Sequence, residues 1–346
     1  MLVLSYSTGF CSWWALLNIN NQYLKRHSNL WEKICSIANL QLADKTARKG
    51  KKKQIGIKIH DKSREQNILD LHKSLINRTY RTSRYSVFTI TEEKERVIYK
   101  LPYYPDRIVH HAIMKVLEPI FVSVFTADTY SCIKGRGIHG AFRAVKNALG
   151  GGIEKTRYCL KLDIQKFYPS IDHDVLKSLL RKKFKDKDLL WLLDEIIDSA
   201  EGVPIGNYLS QFLANFYFSY FDHWLKENKR VKHYFRYCDD LVILASTKEE
   251  LHLLLAEIRQ YLEANLKLQV KSNYQIFPVS SRGIDFVGYK FFHTHILLRK
   301  RIKLRFLRMM RRNKNYKSIA SYNGWLCHCD TKTLINKYFN EKERRN

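Results

Sequence analysis

Residues 235–245 read FRYCDDLVILA, two short apolar runs with Asp239 and Asp240 side by side between them. This stretch restricts the fold more than any other. Each run is long enough for a buried strand, and the break is short enough for a hairpin turn that can present more than one carboxylate outward. Adjacent like charges beside a buried sheet repel each other and lose solvation, so the arrangement asks for a positive partner. A metal ion would supply one.

A third acid stands upstream. In LKLDIQKFYPSID, Asp163 closes an apolar strand run whose other residues want burial. Three carboxylates from two neighbouring strands can hold two magnesium ions, one activating a primer 3′-hydroxyl and the other clamping a triphosphate and its pyrophosphate leaving group. That is the requirement of nucleotidyl transfer. The plainer alternative is that each acid only caps a strand or turn.

Bulk properties bear on the choice. Among 346 residues, 61 Lys and Arg face 33 Asp and Glu, a net charge of +28, while 45% hydrophobic and 13% aromatic content indicates a folded chain rather than a basic tail. A polyanion is the expected partner. The seven cysteines, at 11, 35, 132, 159, 238, 327 and 329, have no repeated spacing and suit reduced thiols of a cytosolic protein. Cys327 and Cys329 flank His328 without further zinc ligands nearby, and read as a thiol pair near a helix start. The first 24 residues carry no charge, but they lack a basic start or a cleavage pattern, so they read as an N-terminal extension rather than a membrane anchor.

Along the chain the pattern is α+β without repeats. The run Lys45, Arg48, Lys49, Lys51, Lys52, Lys53 reads as a flexible loop able to lie on phosphates, or as a solvated face. Ser63 with Gln66 forms a capping-box pattern ahead of an apolar stripe at Ile68, Leu71 and Leu75. Residues 85–101 predict two strands joined by a charged turn, and the segment from Asp106 predicts a helix ending near Pro119. KGRGIHGAFRAVKNALGGG is a glycine-rich basic loop feeding a helix, with a spacing that matches no nucleotide fingerprint. Further helices are expected at 172–184, 188–199, about 209–227 and over KEELHLLLAEIRQYLEANL, with short strands near YQIFPV and IDFVGYKFF. Residues 299–317 hold ten Lys or Arg and no acid, with Ile302, Phe306, Met309 and Met310 at helical intervals, so one face packs and the other faces phosphate.

In order and approximate spacing, LDIQKFYPSI, IGNYLSQ, YCDD and IDFVGYKFF resemble the first acidic motif, the glycine-serine loop, the YxDD box and the primer grip of reverse transcriptases, over about residues 29–340. The resemblance implies an α+β right-handed polymerase: an N-terminal extension at 1–28, fingers with part of the palm at 29–157, palm at 158–292 and a helical thumb at 293–346. It implies Asp163, Asp239 and Asp240 as catalytic metal ligands for two Mg2+, with the Ile164 carbonyl as a further ligand. Tyr168 falls at the family's sugar gate, with Ile205, Gly206 and Gln211 in the glycine-serine loop beside the nucleotide. Arg96 and Lys100, and less directly Arg107, are candidates for the triphosphate. Lys134 and Arg136 are placed on the template backbone, and Arg308, Arg311 and Arg312 on the duplex.

LWEKICSIANLQLADKTARKGKK, IKGRGIHGA, KSNYQIFPV, SRGIDFVGYKFF and SYNGWLCHCD resemble the diversity-generating retroelement branch, and Ile205 stands where most reverse transcriptases have glutamine. That branch implies copying of a template RNA into complementary DNA with errors at template adenines, an RNA/DNA duplex and deoxynucleoside triphosphates as ligands, and a small basic accessory protein as partner. It also implies a bacterial or phage-borne cytoplasmic enzyme with no membrane partner. The chain stops soon after the expected thumb, without the maturase or endonuclease region of many intron enzymes. A retron, group II intron or phage-defence reverse transcriptase is the nearest alternative, and a non-catalytic RNA-binding protein the more distant one. The three intact carboxylates argue against the latter.

Overall fold

A computed structural model describes residues 25–91, 95–312 and 316–331. The expected N-terminal extension up to residue 24, the charged turn at 92–94 and the chain after 331 lie outside the described residues. Helices α1 (Trp31–Cys35), α2 (Ile37–Ala47), α3 (Ile55–Asp61) and α4 (Arg64–Ile76) precede a hairpin of β1 (Ser86–Thr91) and β2 (Glu95–Lys100). Helices α5 (Ile108–Val124) and α6 (Gly137–Gly150) lead to β3 (Tyr158–Asp163). Next come α7 (His173–Lys183), α8 (Lys187–Ile197), α9 (Tyr208–His223), the hairpin β4 (His233–Tyr237) and β5 (Asp240–Ala245), and α10 (Lys248–Leu266). The described part closes with β6 (Gln275–Pro278), α11 (Val279–Arg282), β7 (Ile284–Phe286), β8 (Tyr289–Phe291), β9 (Ile296–Leu298), α12 (Lys300–Arg312) and α13 (Tyr316–Leu326).

The chain divides into two compact units that interleave in sequence. One comprises the described residues up to Ala127 with Gln165–Arg230 and Arg259–Gln269. It is built on α5 and α9, whose apolar faces bury Ile113, Leu117, Phe121, Phe212 and Phe216, with the Phe121 and Phe216 rings 5.3 Å apart. Full burial of such a side chain is worth about 1.5–3 kcal/mol, so this seam anchors the unit. The other comprises Asp128–Ile164, Val231–Ile258 and the described residues from Val270. Its antiparallel sheet runs β4-β5-β3-β6, and a second antiparallel sheet runs β7-β8-β9. Phe142, Val145 and Leu149 of α6 pack with Tyr289, Phe291, Phe306 and Met310 in its core.

Most of the expected elements form. The stripe Ile68, Leu71, Leu75 is buried, and α12 turns Phe306 and Met310 inward while Arg308 and Arg311 stay exposed. The structure bears on five local expectations. Helix α5 runs through Pro119 to Val124, because buried Phe121 and Val124 hold the turn beyond it and offset the proline's missing donor. Ser63 caps α4 in position but not by its side chain, and Gln66 instead donates to Asp70 Oδ1 at 2.8 Å. Of the basic run at 45–53, Lys45 lies in α2 and Arg48 is bound to Asp44 and Asp61 at 2.8 and 2.7 Å, while Lys49, Lys52 and Lys53 are exposed in the turn that follows. Cys327 and Cys329 follow the end of α13, and the chain after 331, where a helix start beyond them would fall, lies outside the described residues. The basic helix expected at 299–317 is described as α12 and the start of α13, with 313–315 outside the described residues.

Candidate active site

β3 and β5 pair antiparallel with Asp163 directly opposite Asp240, and β4 pairs with β5 so that Tyr237 faces Asp240 across a two-residue turn of Cys238 and Asp239. The register therefore carries all three acids to one end of one sheet. Cys238 has φ 57°, the left-handed conformation that the first turn residue of such a tight hairpin adopts and that glycine usually supplies. Two bonds hold the turn. Cys238 C=O accepts from Arg236 Nη1 at 3.1 Å, and Asp239 C=O accepts from Ile164 N–H at 3.3 Å. A strand residue's N–H and C=O point to the same side, so the Ile164 carbonyl faces the turn that carries Asp239.

The electrostatics show what the acids lack. Burial, then the negative charge of Asp163 and a hydrogen bond to its carboxyl, pushes Asp239 up to about 6. Asp240 is likewise pushed up to about 6, chiefly by burial and by Asp163, with Lys161 opposing. Asp240 Oδ2 lies 3.4 Å from Lys161 Nζ, while its Oδ1 is enclosed and has no hydrogen-bond partner among the described residues. Lys271 Nζ pairs with Asp163 Oδ2. Among the described residues no group of three or more His, Cys, Asp or Glu is placed to hold a metal ion as it stands. The donor set nonetheless fits magnesium: three carboxylates and a backbone carbonyl are hard oxygen ligands, and the enclosed Asp240 Oδ1 is an acceptor in want of a cation.

The nucleotide candidates belong to the other unit. Arg96 and Lys100 are exposed and four apart on β2, so they share a face of the hairpin. Tyr99 N–H donates to Ile205 C=O at 2.9 Å, bringing the 205–206 loop onto β2. Gly206 has φ 126°, and a Cβ there would lie 2.5 Å from the Tyr99 carbonyl oxygen. The close approach that this glycine permits is thus to the β2 backbone. A cleft of about 190 Å³ beside it is lined by Lys100, Arg107, His110, Gly206, Asn207 and Tyr208. Tyr168 is half-buried, and its C=O accepts from Val203 N–H at 2.9 Å, two residues before Ile205. Gln211 is exposed on the first turn of α9.

The nucleic-acid candidates separate as well. Lys134 is exposed, but Arg136 donates from Nη1 to Thr129 C=O at 3.0 Å and so commits part of its guanidinium to its own loop. Arg308 and Arg311 are exposed on α12, and the Arg312 side chain lies outside the described residues.

Sequence reasoning missed Lys161 and Lys271. Lys161 was legible in principle: two residues before Asp163 it shares that acid's face of β3, which makes it the diagonal neighbour of Asp240. Nothing local marks Lys271. It reaches Asp163 because Ile164 bridges Val270 and the Lys271 N–H donates to Asp163 C=O at 2.9 Å. Arg236, fully buried, was equally unmarked.

The YkfC protein of Escherichia coli is 27% identical over 245 residues, covering 58% of this chain and 63% of that protein. The group II intron-encoded protein LtrA of Lactococcus lactis is 21% identical over 300 residues, 65% of this chain and 49% of its own. A retron reverse transcriptase of Escherichia coli is 28% identical over 192 residues, 50% of this chain and 58% of its own. The chain thus spans about half to three-fifths of these relatives' lengths. Among solved structures, telomerase from Candida albicans with a fragment of telomeric RNA superposes with a TM-score of 0.48 at 11% identity, over 66% of this chain and 50% of that one. The family model described as reverse transcriptase (RNA-dependent DNA polymerase) matches residues 87–291, more than half of the sequence and the whole span from the β1–β2 hairpin to β8. With its α+β antiparallel fold and the acids of β3 and the β4–β5 turn inside that span, the chain belongs to the reverse transcriptase family.

Proposed function

We propose that this chain is an RNA-directed DNA polymerase whose chemistry is carried by Asp163, Asp239 and Asp240. The observation that supports it most is the β3–β5 register, which sets Asp163 against Asp240 beside the turn bearing Asp239. These carboxylates and the Ile164 carbonyl would hold two Mg2+. When bound, the ions supply activation of the primer hydroxyl and neutralisation of the triphosphate. The protein's own part is to hold three acids at one sheet end against their mutual repulsion, with Lys271 and Lys161 as counter-charges. Arg96, Lys100 and Arg107 bind triphosphate oxygens, Tyr168 excludes a 2′-hydroxyl by contact, and Gln211 with the 205–206 loop borders the nucleotide. Lys134, Arg136, Arg308, Arg311 and Arg312 follow the backbones of the template RNA and the RNA/DNA duplex. The fingers, palm and thumb boundaries at 29–157, 158–292 and 293–346 belong to the same reading.

Primer extension on an RNA template with Mg2+ tests it. Asp239→Asn removes a ligand with little change of shape, so extension is lost while RNA binding persists. Strong extension by this variant refutes the metal assignment. Tyr168→Ala should admit ribonucleotides, and unchanged discrimination would place the gate elsewhere.

The finer reading is a diversity-generating retroelement enzyme with a small basic accessory protein, supported by the motif resemblances and by Ile205. Isoleucine offers shape without a hydrogen bond, and the missing bond is worth about 0.5–1.5 kcal/mol, up to roughly tenfold in discrimination. The broader alternative, a group II intron-like or retron reverse transcriptase, is favoured by the intron-encoded and retron proteins among the relatives. Sequencing complementary DNA made on a defined RNA separates them. The retroelement reading expects errors concentrated opposite template adenines and reduced by Ile205→Gln, and an even spread over four bases removes it.

A further inference from the structure

Two cysteines that the polymerase chemistry does not use meet beside the candidate active site. Cys132 lies in the loop before α6, and Cys238 is the turn residue immediately before Asp239. Main-chain bonds dock that loop onto β4: Tyr130 N–H donates to Arg236 C=O and Arg236 N–H to Asp128 C=O, both at 3.0 Å. The buried Arg236 side chain adds a bond to Thr129 Oγ1 at 3.3 Å. Both cysteines stand at sharp bends, with φ 61° and 57°. Their sulfurs converge on one hydroxyl, Ser131 Oγ, which is 3.2 Å from Cys132 Sγ and 2.7 Å from Cys238 Sγ. Each of the two cysteines is partly exposed, whereas Cys35 and Cys159 are buried.

We propose that Cys132 and Cys238 are a modification site: a dithiol that oxidises to a reversible disulfide and thereby displaces the turn carrying Asp239 and Asp240. The effect on polymerisation rests on the function proposed above, whereas the disulfide itself does not. The oxidant is a small disulfide such as oxidised glutathione. One cysteine thiolate attacks its sulfur, forming a mixed disulfide and expelling one small thiolate. The second cysteine attacks the protein sulfur of that mixed disulfide and expels the other. Two S–H bonds become one S–S bond, two electrons pass to the oxidant, and the two protons go to the departing thiolates.

The geometry says which side yields. The Cys132 loop is anchored to β4 by backbone bonds at residues 128 and 130, whereas Cys238 sits in a two-residue turn outside the strand ladder, held through the Cys238 and Asp239 carbonyls by Arg236 and Ile164. Drawing its sulfur from the shared Ser131 hydroxyl into a covalent bond therefore moves the turn, and Asp239 is the next residue. A small shift there is large for catalysis, since catalytic groups must be held within about 0.5 Å of their working positions.

The test uses the full chain, reduced and then equilibrated across reduced-to-oxidised glutathione ratios. After alkylation, peptide mapping by mass spectrometry looks for a Cys132–Cys238 linkage, and primer extension on an RNA template is run in parallel. The expected result is a linked peptide that appears over the same range in which extension falls more than tenfold, both reversed by dithiothreitol. Cys132→Ser keeps the reduced rate throughout, and Cys132→Ala serves if the serine variant does not fold. Absence of the linked peptide overturns the site. Full extension by the linked enzyme, or oxidative loss in Cys132→Ser, overturns the switch. A reduced chain that extends no primer refutes the polymerase reading instead, and the linked peptide still decides the disulfide.

Discussion

Gly206→Ala tests how tightly the 205–206 loop is bound to the β1–β2 hairpin. At φ 126° an L side chain is strained whatever the space around it, and here the new Cβ would also lie 2.5 Å from the Tyr99 carbonyl oxygen and 3.3 Å from Ile98 Cγ2. Backbone strain of this kind costs about 1–3 kcal/mol. The clash is with main chain and cannot be relieved by a rotamer change, so the loop must leave β2 and forfeit the Tyr99 N–H bond to Ile205, about 0.5–1.5 kcal/mol more. The expected local loss is about 2–4 kcal/mol, at least roughly a 30-fold rise in opening. Amide exchange of Tyr99 reads this directly, because its N–H is the donor in question, and chemical denaturation reads any global share. Gly150→Ala is the control: it ends α6 with nothing within 4 Å of the added Cβ, and should be neutral or stabilising by up to about 1 kcal/mol. Unchanged Tyr99 protection in Gly206→Ala would refute the close approach of loop and strand.

Three further outcomes follow from single sites. Asp44 is fully buried and bound by Arg48 at 2.8 Å, Arg64 at 2.7 Å and the Tyr103 hydroxyl at 2.5 Å, so Asp44→Ala should cost about 2–4 kcal/mol in denaturant unfolding, and a loss below about 1 would show the network to be idle. His110 is held down at about 4, mainly by burial with help from His111 and Arg107 against Asp106; the unfolded chain takes up its proton near 6.5 while the fold does not, so stability falls as pH drops from about 6.5 towards 4. The histidine's share is about 2 kcal/mol between pH 6.5 and 5, and His110→Leu should flatten the wild-type slope there by that amount, an unchanged slope placing the acid sensitivity elsewhere. Neutralising Arg308 and Arg311 should lower the salt slope of RNA affinity by about one unit for each phosphate left without its cation, and an unaltered slope would mean that α12 faces something other than phosphate.

The secondary-structure elements and the acids were legible in the amino-acid sequence. Apolar runs around Asp163 and around the Asp239–Asp240 pair specify β3, β4 and β5, and the stripes at 68–75 and 302–310 specify which faces of α4 and α12 turn inward. These are local signals, because the side-chain period of a strand or helix is written in neighbouring residues. What those elements meet is settled only when the chain folds. The opposition of Asp163 and Asp240 is a register between strands some eighty residues apart, and register answers to the packing of whole faces rather than to any local pattern. The same long-range pairing brings Lys271 to Asp163 and sets Cys132 and Cys238 around Ser131, and packing across the fold carries α5 past Pro119. At Pro119 an interaction across the fold outweighed a local preference, and a single stretch of sequence holds only one side of that balance.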